Sequence, residues 1–262
     1  MKLNKIMARR YLISAGVFIF SFLFWEYLSL SGLYRTHLFP PPSQVLPVMK
    51  DMLITGELWT NIKISSFRWI AGYSLGAIFG IGFGLLTGRV SWLRYSFGSL
   101  FNALSSIPKI VLIPIAILWF GLGENQKIQL VAWGTFFPIW LNTQTGSEQI
   151  ETEYLWTAKS LGLRGFSLFR HVIFPNALPN IITGLRIGIS TATFSLAAAE
   201  MSGAFTGLAH QIFYSHEMFQ TDRMMAGIIY ITMLSFLVNE IFILLSRFLL
   251  PWAIINRDQL NE

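Results

Sequence analysis

His210, His216 and Glu217 offer two imidazoles and a carboxylate within one short segment, the donor types of a zinc site. Their separation does not put the two histidines on one helical face, and no further ligand stands nearby, so the segment reads as a solvated outer loop. The chain has no cysteine, which removes disulfides, thiol chemistry and Cys-ligated metals together. It holds no glycine-rich phosphate loop ending in Gly-Lys-Ser/Thr, no H-E-x-x-H helix and no G-x-S-x-G elbow. No catalytic set assembles from what remains.

The other chemistry available is that of polar groups set inside apolar runs. Lys109 stands between Pro108 and Pro114 in "SSIPKIVLIPIAILWFGLGE", and an ionisable group at membrane depth marks a functional site unless its long stem carries the charge to the interface or the helix begins deeper than the apolar run. Ser190, Thr191, Thr193 and Ser195 place four hydroxyls on one segment, and Asn142 and Gln144 add amides from another. Such groups replace water around a solute in transit. These seven residues, Lys109 included, are the expected lining of a translocation pathway. Glu200 suits an anion poorly and is expected to anchor the outer end of its helix or to contact a neighbour.

Positioning these groups requires elements that live in lipid. Of the 262 residues 53% are hydrophobic and 12% charged, about half the charge of a soluble domain, with a mean hydropathy of +0.55. Runs of about 20 apolar residues cross the hydrocarbon core as helices. Six are expected: Tyr11 to Leu30, Ile70 to Leu86, Leu100 to Phe120, Ile128 to Thr145, Ile181 to Met201 and Met225 to Leu249. The first, behind Lys2, Lys5, Arg9 and Arg10, has the basic head and apolar body of a signal peptide. Its length, the interrupting Glu26 and the lack of a small-x-small cleavage site mark it as a retained span.

With the N-terminus inside, the cytoplasmic segments hold Lys2, Lys5, Arg9, Arg10, Arg89, Arg94, Lys159, Arg164, Arg170, Arg247 and Arg257, and the outer ones Arg35, Lys50, Lys63, Lys127 and Arg223. This asymmetry follows the positive-inside rule and places both termini in the cytoplasm. It accounts for most of the formal charge of +6 without nucleic acid or another anionic partner.

The outer segment "LFPPPSQVLPVMKDMLITGELWTN" approaches extended through Pro40 to Pro42 and then turns amphipathic, with Ser43 placed to cap a helix on the outer surface. Gly72, Gly76, Gly80, Gly84 and Gly88 recur every fourth residue, a ridge that admits another helix closely. Pro108 and Pro114 each remove a backbone donor, so the third span is expected to kink or partly unwind.

One stretch cannot span: "ETEYLWTAKSLGLRGFSLFRHVIFPNALPNIITGLRIG". Thr152 is the expected N-cap of a short helix that Gly162 ends in a left-handed conformation. Leu155, Ala158 and Leu161 give that helix a small apolar surface with a notch at Ala158, and Lys159 and Arg164 keep the neighbouring faces polar. A second helical turn through Phe166 and Phe169 is expected to end before Pro175.

This segment resembles the cytoplasmic signature of the permease subunits of ATP-binding-cassette importers: Glu-Ala-Ala, three residues, Gly, nine residues, Ile-x-Leu-Pro. Here it reads Trp156-Thr157-Ala158, Gly162, and Val172-Ile173-Phe174-Pro175, with Trp156 in place of the glutamate. "FPPPSQVL", "ILWFGLGENQKI", "FFPIWLNTQTG" and "LPNIITGLRIGIS" with "AAAEMSGAFTGL" resemble the nitrate, sulfonate and taurine branch of that family. The resemblance implies an all-α polytopic membrane protein of the type I importer kind. One domain fills 1–262, with the first span and outer helix in 1–64, the core spans in 65–250 and a cytoplasmic tail in 251–262.

The resemblance further implies an inner-membrane permease, not an enzyme, that works beside a second copy of itself. An external solute-binding protein delivers a small anion of the nitrate, sulfonate, taurine or bicarbonate type, and separate ATPase subunits bind ATP and Mg. This chain then binds no cofactor, and Leu155, Trp156, Thr157, Ala158, Lys159, Leu161, Gly162 and Pro175 form the coupling element in the ATPase groove. The alternatives are an ion-coupled secondary transporter or channel, which would need acidic or histidine relays where only Glu200 and Glu240 are inward candidates, and a membrane-embedded enzyme.

Overall fold

The computed structural model describes residues 2–33 and 35–249. The expected tail 251–262, with Arg257, and the side chains of Lys2, Lys5, Arg9, Arg10 and Arg247 lie outside the described residues. Among those described the chain is helical with no strand. The six expected apolar runs fall on α1 (Lys2–Leu30), α3 (Glu57–Arg89), the pair α4 (Ser91–Ser105) and α5 (Ile113–Phe120), α6 (Glu124–Glu148), α9 (Phe174–Met201) and α11 (Thr221–Leu249). By length and composition Glu57–Arg89, Gly165–Met201 and Thr221–Ser246 are able to cross a membrane. Ser91–Ser105 and Lys109–Phe120 are long and apolar enough only together and are bent by 95° at the break between them, the geometry of a broken span or of a re-entrant loop. The apolar stretch of α1, Ala15–Leu30, is shorter, and α6 is long but more polar because it lies inside the bundle.

The expected outer helix is α2 (Pro42–Ile54), which packs Val45 and Met52 against Leu58, Leu208 and Ala226. Ser43 does not cap it. The N-cap is Pro41, and Ser43, one residue inside the helix, gives its backbone N–H and its hydroxyl to the Glu26 carboxylate at 3.1 and 2.7 Å. Glu26, which interrupts the first apolar run, is therefore the anion at the positive end of α2.

α3 starts thirteen residues before the apolar run does, because Leu58, Asn61, Ser65 and Arg68 recur at helical spacing and are all buried. Beyond them the glycine ridge meets α6. A Cβ at Gly72 would lie 2.5 Å from Val131 Cβ, at Gly76 2.7 Å from Thr135 Cβ, at Gly84 2.5 Å from Thr143 Cβ and at Gly88 2.7 Å from Ser147 Cβ. Both numbers rise together, so α3 and α6 run parallel with backbones too close for any side chain on that face. α9 returns antiparallel on the other side of α6, with Gly146 against Asn180, Gly184 against Asn142 and Gly188 against Ile139.

Between α6 and α9 lie α7 (Thr152–Ser160), α8 (Gly165–Leu168) and a π-helical turn, Phe169–Ile173. The N-cap of α7 is Glu151, and Thr152 is already helical. The helix expected to end before Pro175 instead continues into α9. The Phe174 N–H reaches back five residues to the Phe169 carbonyl, and this wider turn relieves the clash that Pro175 would cause in a regular α-helix. His210 and His216 lie on α10 (Leu208–Glu217), a helix rather than a loop.

Candidate functional site

The break between α4 and α5 creates a cleft. Pro108 cannot continue α4, so the chain turns through a 3₁₀ segment, Lys109–Leu112, before α5 resumes. That turn presents Lys109 and Ile110 to Gly134 of α6 and to Thr191, Phe194, Ser195 and Ala198 of α9 around a cleft of about 340 Å³. Lys109 Nζ donates to the Ser105 carbonyl at 2.7 Å and lies 5.5 Å from the centroid of the Phe137 ring. Its charge thus stays at the cleft instead of reaching out to an interface. A side chain at position 134 would collide with Ser195 Oγ, so Gly134 is what lets α9 approach there.

The expected pathway residues do not all meet. Lys109, Thr191 and Ser195 share the cleft, and Ser190 lies on the exposed face of α9. Thr193 faces away, accepting from Trp69 Nε1 at 3.1 Å and lying 3.4 Å from Ser235 Oγ. Asn142 folds back along α6 and donates its side-chain amide to the Pro138 carbonyl at 2.8 Å. Gln144 accepts from Thr87 and donates to Glu148.

A buried charge cluster that the apolar pattern does not reveal holds the opposite end of the bundle from α7. Arg68, 1% exposed, pairs through Nη1 with Glu200 Oε1 at 2.8 Å and through Nε and Nη2 with Glu124 at 2.6 and 2.7 Å. It also donates to the Thr206 carbonyl at 2.7 Å. Glu200 accepts in addition from Ser65 Oγ and the Ala209 N–H, and Asn61 binds Gln211 and the Gly207 N–H. The starts of α3, α6 and α10 and the end of α9 are thereby tied at one point. Glu200 anchors its helix end as expected. The signal for Arg68 was the i, i+3, i+4 recurrence of Leu58, Asn61, Ser65 and Arg68, hidden because a charged residue breaks an apolar run.

At the α7 end, Gly162 has φ of +85°. The Gly162 N–H bonds the Lys159 carbonyl and the Leu163 N–H bonds the Ala158 carbonyl, both at 3.0 Å, so the left-handed glycine closes the last turn of α7. Trp156, Thr157, Lys159, Leu161 and Gly162 are exposed, Leu155 and Pro175 half-buried. Ala158 is not a notch on an outward surface. It is buried at 5% exposure as α7 rests on the Phe169–Ile173 turn. The apolar surface turned outward consists of Tyr154, Trp156, Leu161 and Phe166.

Residues 76–254 match the family model described as the binding-protein-dependent transport system inner membrane component. The chain is 36% identical over 228 residues to the aliphatic sulfonates transport permease protein SsuC of Escherichia coli, covering 87% of each chain. It is 29% identical to the taurine transport system permease protein TauC of the same organism, covering 94% of this chain and 91% of that one. Among solved structures it superposes on a chain of the MetNI methionine ABC transporter in an inward-facing conformation, with a TM-score of 0.61 at 20% identity, covering 72% of this chain and 96% of that one. The chain belongs to the binding-protein-dependent transport system inner membrane components. It is a permease subunit of an ABC importer and not an enzyme, ATP hydrolysis residing in a separate partner.

Proposed function

We propose that this permease works as a homodimer that passes a small oxyanion of the sulfonate or taurine type between its two copies, with both termini in the cytoplasm. The observation that carries this reading is the cleft in which a lysine held at the break between α4 and α5 meets two hydroxyls of α9. A fixed cation beside neutral hydroxyl donors replaces the hydration of an anion without trapping it. The relatives named for sulfonates and taurine support the same class of solute, and nitrate and bicarbonate belong to the same chemistry. α7, with Trp156 and Leu161 outward, is the element that docks on the ATPase, and its junction to α9 through the π turn carries ATP-driven closure to the cleft.

The test is purification in mild detergent followed by reconstitution. An ATPase subunit retained at equal stoichiometry, and ATP hydrolysis stimulated by a solute-loaded binding protein, are the expected results. Uptake by the chain alone, driven by an ion gradient, would support the secondary transporter instead. The buried partners of Glu200 already argue against that rival, since a carboxylate locked to arginine is a poor proton relay.

A further inference from the structure

Arg186 lies in the middle of α9, about 18 Å from Phe174 and about 22 Å from Met201 at 1.5 Å per residue. Its side chain is exposed. So is Ser190, one helical turn further on and on the same face, with Thr183 one turn before. Among the described residues neither the Arg186 guanidinium nor the Ser190 hydroxyl has a hydrogen-bond or ion-pair partner. An uncompensated arginine at mid-depth of a spanning helix does not face hydrocarbon; such groups face a watery cavity or the interior of an assembly. Arg68 of α3 shows the contrast, since every edge of its guanidinium is held by Glu124, Glu200 and the Thr206 carbonyl.

We infer that Arg186 and Ser190 form an anion-binding site on the pathway face of α9, the guanidinium holding a pair of solute oxygens and the Ser190 hydroxyl a third. The planar fork of arginine matches a carboxylate, nitrate or sulfonate in two parallel hydrogen bonds. The site lies on the inner side of the Lys109 cleft. Phe194, 77% exposed, joins the two, because it lines that cleft and continues the Ser190 face one turn on. An anion leaving Lys109 thus meets a second fixed cation about 12 Å further along α9, and two sites of moderate strength pass a solute on where one strong site would retain it. The inference rests on the permease reading and names the group that selects its solute.

Because the chain has no cysteine, Ser190→Cys introduces a single thiol whose reactivity reports water access and local potential without any transport. In the purified permease and ATPase complex, an anionic methanethiosulfonate reagent is expected to modify it faster than a cationic one, and adding Arg186→Gln is expected to reverse or abolish that preference. In proteoliposomes, Arg186→Gln is expected to lower taurine or alkanesulfonate uptake by roughly tenfold or more, the worth of one charge-assisted hydrogen bond, with Arg186→Lys partly restoring it. Co-purification with the ATPase checks that both variants assemble. An unreactive thiol, equal rates for the two reagents, or normal uptake by an assembled Arg186→Gln complex would each overturn the site. A reactive, anion-preferring thiol in a chain that retains no ATPase would instead keep the site and remove the importer reading.

Discussion

The guanidinium of Arg68 and the carboxylate of Glu200, 132 residues apart in sequence, meet at 2.8 Å with both side chains shut off from solvent. Glu200→Ala is expected to destabilise the bundle by about 3 kcal/mol, the low end for breaking a buried pair because Glu124 still holds the other edge of the guanidinium. Replacing both residues by leucine is expected to cost less than the two single changes together, since no buried charge is then left stranded and Glu124, which also loses its arginine, is half exposed to solvent. Thermal unfolding of the purified protein in detergent measures both. An unchanged Tm in Glu200→Ala would show that the carboxylate is not structural.

Lys109→Met keeps the length and apolar stem of the side chain but removes the charge from the cleft. Uptake is expected to fall, with ATPase association intact. Normal uptake in this variant would take Lys109 out of the mechanism.

Gly162→Val forces a β-branched residue into φ of +85°, at a local cost of about 1–2 kcal/mol. That is too little to unfold packed spans but enough to redirect α7. Membrane insertion is expected near normal, and stimulation of ATP hydrolysis by the loaded binding protein is expected to be lost. Leu161→Glu alters only an outward side chain and separates docking from loop geometry. Ala158→Glu acts differently, by driving a charge into the contact between α7 and the π turn. Wild-type coupling in both Gly162→Val and Leu161→Glu would return the segment to a plain connection.

Gly84→Ala and Gly82→Ala make a matched pair on one helix. A Cβ at 84 meets Thr143 Cβ at 2.5 Å, whereas nothing lies within 4 Å of one at 82. The first is expected to lose about 1–3 kcal/mol to overpacking, and the second to be neutral. Equal Tm values would mean that α3 and α6 are not in close contact.

Reporter fusions after Glu57 and after Arg164 are expected to lie on opposite sides of the membrane. Glu57 joins the cluster around Gln211 at one end of the bundle, and Arg164 follows α7 at the other. Signals from one side only would overturn the proposed orientation.

Local chemistry reached the one-dimensional features. Apolar runs marked most of the long helices because lipid offers the backbone no other partner, the glycine period announced a close helix contact, two prolines announced the break between α4 and α5, and Gly162 announced the stop after α7. The family signature was legible because its spacing survives the change to Trp156. Three things needed the tertiary structure. The partner of the glycine ridge was open among all other helices until α6 was seen to run parallel to it. The beginning of α3 was invisible because Asn61, Ser65 and Arg68 are polar, and only Glu124, Glu200 and Gln211, brought in from distant segments, make their burial affordable. The direction of a side chain on a short helix was likewise undetermined. Ala158 turned inward and Trp156 outward because α7 packs on a π turn that Pro175 imposes, and no periodicity within nine residues states which face will find a neighbour.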